Sequence, residues 1–354
     1  MTNHLHTEAI ALLKELISIP SFSKEEHGTA GAITKFLGIH GIEHFRIANN
    51  VFARNKYYDS SKPTILLNSH HDTVKPGSGY TLDPFTPLEK NGKLFGLGSN
   101  DAGGSLVSLI ATFLAYYEKS GMKYNIIIAA TAEEEISGHN GIEKLLPELG
   151  NISFAVVGEP TRMQMAIAEK GLLVLDCVAE GKAGHAARNE GENAIYKAMK
   201  DIEWFSTYKF PKISGLLGPV KMSITVINTD NKAHNVVPSQ CNFVADIRVN
   251  ELYDFEELLA EIRKNVQSEV KPRSLRMRSS LIPETHPLVK AGLNMGRTFY
   301  GSPTTSDKAL MPFAALKMGP GDSARSHTAD EFIFIKEIEE GIDLYIELMK
   351  NVLY

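Results

Sequence analysis

The segment TILLNSHHDTVKP, residues 64 to 76, runs from an apolar stretch directly into two histidines and an aspartate. Successive side chains of an extended strand point to opposite faces, so His70 and Asp72 share a face and His71 points away. Neutral imidazole is a transition-metal ligand, and a nearby carboxylate fixes its tautomer through the other ring nitrogen. His70 then reads as a ligand, Asp72 as its orienting partner and His71 as packing or a bystander. A lone H-x-D at a strand end is more often structural or incidental than a ligand, so the reading needs company. Four further stretches supply it. GLGSNDAGGSL, residues 96 to 106, sets Asp101 among glycines ahead of an apolar helix. Such a loop can aim one carboxylate into a cleft, and it fits an N-cap aspartate equally well. The G-x-G-x-x-G spacing of a dinucleotide loop is absent. AATAEEEISGHNG, residues 129 to 141, ends an apolar run with Glu133, Glu134 and Glu135. Neighbouring carboxylates resist joint ionisation unless cations compensate, although a charge run also fits a solvated face. FAVVGEPT brings Glu159 and KMGPGDSARSHTADE brings His327, each soon after an apolar run. Two histidines and several carboxylates at strand ends suit zinc or a similar divalent ion. A shared carboxylate suits two ions about 3.5 to 4 Å apart.

The elements that hold these residues follow from hydrophobic period. Ile10, Leu13, Leu16 and Ile17 mark a helix that stops before Pro20, and Ile33, Phe36 and Leu37 mark a second. Strand-like runs at NVFARN, TILLNS, YNIIIAAT and SFAVVGEP, with the apolar helix SLVSLIATFLAYY between them, predict an α/β layer with a buried, mostly parallel sheet. From about 172 to 283 the order changes to strand LLVLDCVAEG, helix NAIYKAMKDIEWF, strands VKMSITVINT and CNFVADIRV, helix DFEELLAEIRKNV and strand SLRMRSSLI, an α+β sandwich. Helix PLVKAGLNMGRTFY, strand FAALKMG and a final amphipathic helix resume the first style. The expectation is therefore a catalytic domain of residues 1–171 and 284–354 with an inserted domain of residues 172–283.

Composition excludes several function classes. The 354 residues are 43% hydrophobic and 22% charged, with 42 acids against 37 bases and a net charge of -5. Without a basic run, nucleic acid and anionic membrane are poor partners. The N-terminal MTNHLHTEAIALLKELISIPS lacks the basic start and apolar stretch of a signal peptide, and no run is long enough to span a membrane. Cys177 and Cys241 fit neither a disulfide framework nor a CxxC zinc site and read as buried reduced thiols of a cytoplasmic protein.

Taken together, SHHDTV, DPF at 83 to 85, GLGSNDAGG, TAEEE, GEPT, GHAAR, NVVPS with DIR, and SHTADE resemble the dizinc amidohydrolases that include acetylornithine deacetylase, succinyl-diaminopimelate desuccinylase, aminoacylase and glutamate carboxypeptidase. The resemblance covers nearly the whole chain. It implies a zinc-peptidase-like α/β catalytic domain with an inserted α+β lid that dimerises. It implies two Zn2+, replaceable by Co2+ or Mn2+, with His70 and Glu159 on one, Glu135 and His327 on the other, and Asp101 bridging. Glu134 becomes the general base, with Asp72 orienting His70. His185 of GHAAR is expected to stabilise the oxyanion from the neighbouring subunit of a homodimer, and Asn235 and Arg248 to contact a small-molecule N-acyl amino acid. A surface salt bridge is the competing reading of Arg248. Acetylornithine deacetylation in arginine biosynthesis leads the implied activities. Desuccinylation of succinyl-diaminopimelate, or deacylation of acetyl or succinyl citrulline, ornithine or lysine, stands beside it, and a non-catalytic binding protein on the same fold is remote. Two positions depart from the family pattern: Gly103 stands where lysine is usual, and Glu133 where aspartate is common.

Overall fold

The computed structural model describes residues 3–188 and 190–354, and the chain divides into two compact units. The first holds the described residues through Ile167 together with Ile282–Tyr300 and Ser306–Tyr354; the second holds Ala168–Leu281 and Gly301–Thr305.

In the first unit the strands lie in the order His44–Ile47, Asn50–Arg54, Asn125–Thr131, Thr64–His70, Ile152–Val157, Ala314–Lys317, Met165–Glu169. The middle four are parallel, with Leu66 beside Ile127 and Ala155. Those from 64 to 70 and from 125 to 131 are buried along their whole length, which explains their unbroken apolar runs. Toward the edges the pairing turns antiparallel. The sheet is thus parallel only at its centre, a correction to the expected mostly parallel sheet. At one margin the cause is a two-residue turn through Ala48 and Asn49, which can join only antiparallel neighbours.

Helices Asn3–Ile17, Gly104–Tyr117 and Ile335–Leu353 pack together, and the middle one lies on the central strands. Its near-total burial matches its apolar sequence. The opposite face of the sheet carries Phe52, Leu66, Ile127 and Ala155 against Ile142, Leu145 and Leu149 of helix Ile142–Leu149. Strand alternation therefore puts Asn68 and His70 on that second face, at the polar end of the layer begun by Leu66.

The second unit has an antiparallel sheet ordered Lys221–Thr229, Gln240–Val249, Gly171–Glu180, Glu269–Pro272. Leu173, Leu175, Cys177, Cys241, Phe243 and Ile247 point into a core shared with helices Ala194–Thr207 and Phe255–Asn265. Arg248 belongs to the other face.

Two expected elements differ. The strand anticipated over SLRMRSSLI is realised earlier, at Glu269–Pro272, and only Ser280–Leu281 of the anticipated run is strand. Between them Met277 O accepts from Leu172 N, and the chain passes so close to Gly171 that a Cβ there would lie 2.6 Å from Ser279 N. The helix anticipated from Pro287 stops at Asn294, because Gly296 (φ 74°) takes the left-handed conformation that ends helices, and Phe299–Ser302 becomes a strand. No helix among the described residues is long and apolar enough to cross a membrane.

The turn Ser99–Gly103 sits tightly: a Cβ on Gly103 would lie 2.4 Å from Gly98 O and 2.6 Å from Leu13 Cδ1. Gly31, inside helix His27–Ile39, has nothing within 4 Å of that position. Gly103→Ala is expected to lose about 1–3 kcal/mol by overpacking, and Gly31→Ala to gain about 0.5–1 kcal/mol from helix propensity. Urea unfolding midpoints of the two variants should move in opposite directions.

Candidate metal centre

His70 closes the strand Thr64–His70 and is 1% exposed. Its Nδ1 lies 3.0 Å from the main-chain oxygen of Asp72, with the Asp72 carboxylate 3.4 Å away. A carbonyl only accepts, so Nδ1 carries the hydrogen and Nε2 of the neutral ring presents its lone pair. Orientation of His70 by Asp72 thus runs mainly through the backbone. The Asp72 carboxylate has other work, accepting from Glu134 N at 3.0 Å, Glu135 N at 3.1 Å and Ser23 Oγ at 2.7 Å. Burial opposes its charge, but His70 and Ser23 hold its pKa below the ordinary carboxylate value.

The three consecutive glutamates separate in role. Glu133, at φ 55°, turns its carboxylate back onto Asn140 N and Nδ2. Its own N–H reaches Oε1 of the fully buried Glu26 at 3.2 Å. Glu134 and Glu135 then open a short 3₁₀ turn and face the strand ends. His71 lies outside this group. It is buried, with Nε2 donating to Asn49 O at 2.9 Å and Nδ1 facing Thr29 Oγ1 at 2.8 Å. Packing is its setting, as read from the sequence, with both ring nitrogens engaged.

Asp101 sits in the glycine-rich turn. Glu331, also buried, receives three main-chain donors there: Gly98 N at 3.1 Å, Asn100 N at 2.8 Å and Asp101 N at 3.0 Å. Burial and the neighbouring Asp101 raise the Glu331 pKa to about 7, against the pull of these N–H groups. Gly103 follows where a Cβ would meet Gly98 O and Leu13 Cδ1. Sequence reasoning passed over Glu331 and Glu26. Glu331 stood within the quoted SHTADE, and Glu26 carries no pattern beyond its place before an apolar helix.

The groups converge in two sets. His70 Nε2 lies 3.4 Å from Asp101 Oδ1, 3.8 Å from Glu159 Oε1 and 3.9 Å from Glu134 Oε2. His327 Nε2 lies 3.0 Å from Glu135 Oε2 and 3.7 Å from Asp101 Oδ2. Donor atoms of His70, Asp101 and Glu159 fall within 4.8 Å of one another, as do those of Asp101, Glu135 and His327. Asp101 belongs to both sets and turns one oxygen toward each histidine. One histidine and one glutamate on either side of a shared aspartate is a donor set that fits two borderline divalent ions.

Charge explains why cations belong here. Burial disfavours a proton on His70, yet Glu134, Asp101, Asp72 and Glu159 together push its pKa well above the ordinary value. His327 rises to about 9, chiefly through its bond to Glu135. Glu134 also rises well above the ordinary carboxylate value through burial and the charges of Glu159, Asp307 and Glu135, with His70 opposing. Histidines drawn toward the protonated state this strongly report a surplus of negative charge, a field that would favour metal cations in place of those protons.

The remaining expected residues lie in the second unit. His185 pairs with Val236 in a short two-stranded ladder, and Ala186 N donates to Asn235 O at 3.0 Å, so His185 and Asn235 are exposed neighbours. Arg248 makes two bonds to Asp246, two residues back on its own strand, at 2.8 and 3.0 Å.

Residues 66–351 match the family model described as Peptidase family M20/M25/M40. A curated relative, succinyl-diaminopimelate desuccinylase of Rickettsia bellii (strain OSU 85-389), is 25% identical over 380 residues, covering 96% of this chain and 96% of that protein. Aminopeptidase PepT of Bacillus cereus ATCC 10987 superposes with a TM-score of 0.80 at 19% identity, covering 98% of both chains. The Bacillus subtilis YXEP protein, described as a dinuclear metal binding peptidase from the M20 family, superposes with a TM-score of 0.75 at 17% identity over 99% of both chains. These two superpositions show a shared fold.

Burial pushes the pKa of His71 down to about 4. Below the ordinary imidazole value near 6.5 the unfolded chain takes a proton that folded His71 refuses. Its contribution to stability is therefore complete above about pH 6.5 and is lost as pH falls through that window toward 4, at no more than about 1.4 kcal/mol per pH unit. Urea midpoints at pH 7.5 and 5 should fall further for the wild type than for His71→Gln. Equal falls would place the acid sensitivity elsewhere.

Proposed function

This chain belongs to peptidase family M20/M25/M40, and we propose that it hydrolyses the amide bond of an N-acyl amino acid at a two-metal centre. The observation that carries this reading is Asp101, whose two oxygens face two histidine–glutamate pairs. On it, His70 and Glu159 complete one metal position, and Glu135 and His327 the other. Two divalent ions, zinc with cobalt or manganese as substitutes, supply Lewis acidity that polarises a carbonyl and acidifies water. Glu134 stands beside these donors and outside both sets. As general base it takes a proton from the attacking water and passes it to the amide nitrogen; the new C–O bond replaces the C–N bond, giving a carboxylate and an amine.

For the acyl group the reading is succinyl. A succinyl-diaminopimelate desuccinylase that aligns over 96% of the chain supports succinyl in place of the acetylornithine expected from the sequence. Succinyl-diaminopimelate is thus the leading substrate, with other N-succinyl amino acids behind it. Two buried thiols, Cys177 and Cys241, suit a cytoplasmic setting.

The second unit is proposed as a dimerising lid. Its edge strand Lys221–Thr229 exposes Val226 (50%) and Ile227 (52%), and helix Ala194–Thr207 beside it exposes Tyr196 and Met199. An unpaired, apolar strand edge is a template for pairing, and a two-fold partner covers it. His185 would then complete the oxyanion site of the neighbouring subunit, and Asn235 and Arg248 would contact substrate.

A panel of acetyl and succinyl forms of ornithine, citrulline, lysine and diaminopimelate should show fastest hydrolysis of a succinyl substrate in the presence of Zn2+ or Co2+. No hydrolysis of any member would overturn the reading. Glu134→Gln should lower kcat by about 100- to 10,000-fold with bound metal unchanged; full activity would remove Glu134 from the mechanism. Dimer sharing has its own measurement. Inactive His185→Ala and Glu134→Ala chains, mixed with subunit exchange verified by mass tag, should regain roughly a quarter of wild-type activity, since half the dimers are mixed and each has one intact site. No recovery would mean that His185 serves its own chain.

A further inference from the structure

Asp307 is a carboxylate that the chemistry above leaves unused. It opens a 3₁₀ turn, Asp307–Leu310, capped by Ser306, and is 3% exposed. Its Oδ2 accepts from Asn68 Nδ2 at 3.0 Å and from Thr131 Oγ1 at 2.7 Å. Asn68 and Thr131 are themselves buried and sit on adjacent parallel strands, with His70 beside Thr131 in register. Asn68 stands two residues before His70 and on its face of the sheet; Thr131 stands three residues before Glu134.

Asn68 turns its NH2 to Asp307 while its Oδ1 is buried with no partner among the described residues. Burial lifts the Asp307 pKa to about 6, opposed by Thr131, Asn68 and His70. The turn is anchored from its other side, where Lys308 Nζ donates to Ile167 O at 3.1 Å.

We propose that Asp307 is a positioning residue of the metal centre: by tying Asn68 to Thr131 it fixes the spacing between His70 and the Glu134–Glu135 turn. The inference rests on the two-metal reading above. It separates Asp307 from a merely structural acid, because its effect must appear in metal binding by the folded protein and not only in stability.

The test uses the full chain and Zn2+ or Co2+ alone. Wild type is expected to bind two equivalents. Asp307→Asn keeps the volume but sets an NH2 or a neutral oxygen against two donors. Its Zn2+ affinity, measured by competition with a chromophoric chelator, should fall by about 10- to 100-fold, in the range of outer-sphere substitutions. The visible bands of the Co2+-loaded protein should shift with it. Thr131→Val keeps shape and the Asp307 charge while removing one strut, and should weaken Zn2+ by about fivefold, the worth of one hydrogen bond. Wild-type affinity and an unchanged Co2+ spectrum in Asp307→Asn would overturn the proposal. Should that variant fail to fold, Thr131→Val decides: weaker metal supports the tie, unchanged metal refutes it. Fewer than two equivalents in the wild type would instead sink the metal reading, and this inference with it.

Discussion

Like charges crowded into a low-dielectric space are the constraint on which the first unit depends. Asp72, Asp101, Glu134, Glu135, Glu159, Asp307 and Glu331 gather about the carboxyl ends of four parallel strands, with His70 and His327 among the bases of their hydrogen-bond and charge network. Such a group stays folded only if N–H donors and cations offset the repulsion. The chain answers in two ways. Carboxylates facing the protein take backbone N–H groups or neutral side-chain donors, as Asp72, Glu331, Glu26 and Asp307 do. Asp101, Glu135 and Glu159 instead share, with His70 and His327, the two clusters that could hold a metal ion.

Each inward carboxylate also acts as a clasp. Glu331 fixes the loop bearing Asp101, Asp72 fixes the turn bearing Glu134 and Glu135, and Glu26 fixes the start of that turn. Hydrogen bonds to a charged acceptor are stronger and more directional than neutral ones, so they hold irregular backbone where no ladder can. Asp101, Glu134 and Glu135 therefore sit on short loops without the looseness that loops usually bring.

Much of this was legible because two periods in the sequence carry it. TILLNSH and NIIIAAT read as buried strands from their apolar runs, and His70 and Glu159 could be placed from the strands they terminate. Alternation alone separated His70 from His71. The clasps were not legible, since a lone acid such as Glu26 or Asp307 in a polar segment has no period, and its partner lies far along the chain. Apolar alternation also misled at SLRMRSSLI, where Leu275 is 37% exposed and Met277 is buried: the run follows the pattern of a strand without a neighbour to pair with along its length. Antiparallel edges escaped for a related reason. Periodicity states that a strand exists and says nothing of its direction.

The distances spanned by the clasps bear on how the molecule comes into being. Thr131 waits for Asp307, 176 positions later, and Asp101 for Glu331, 230 positions later. Contacts of such sequence separation form late, after the loop entropy between them has been overcome. On the ribosome the strands Thr64–His70, Asn125–Thr131 and Ile152–Val157 emerge well before Asp307 and Glu331, so a nascent chain carries Asn68, Thr131 and the Asp101 loop without those two clasps until the residues arrive.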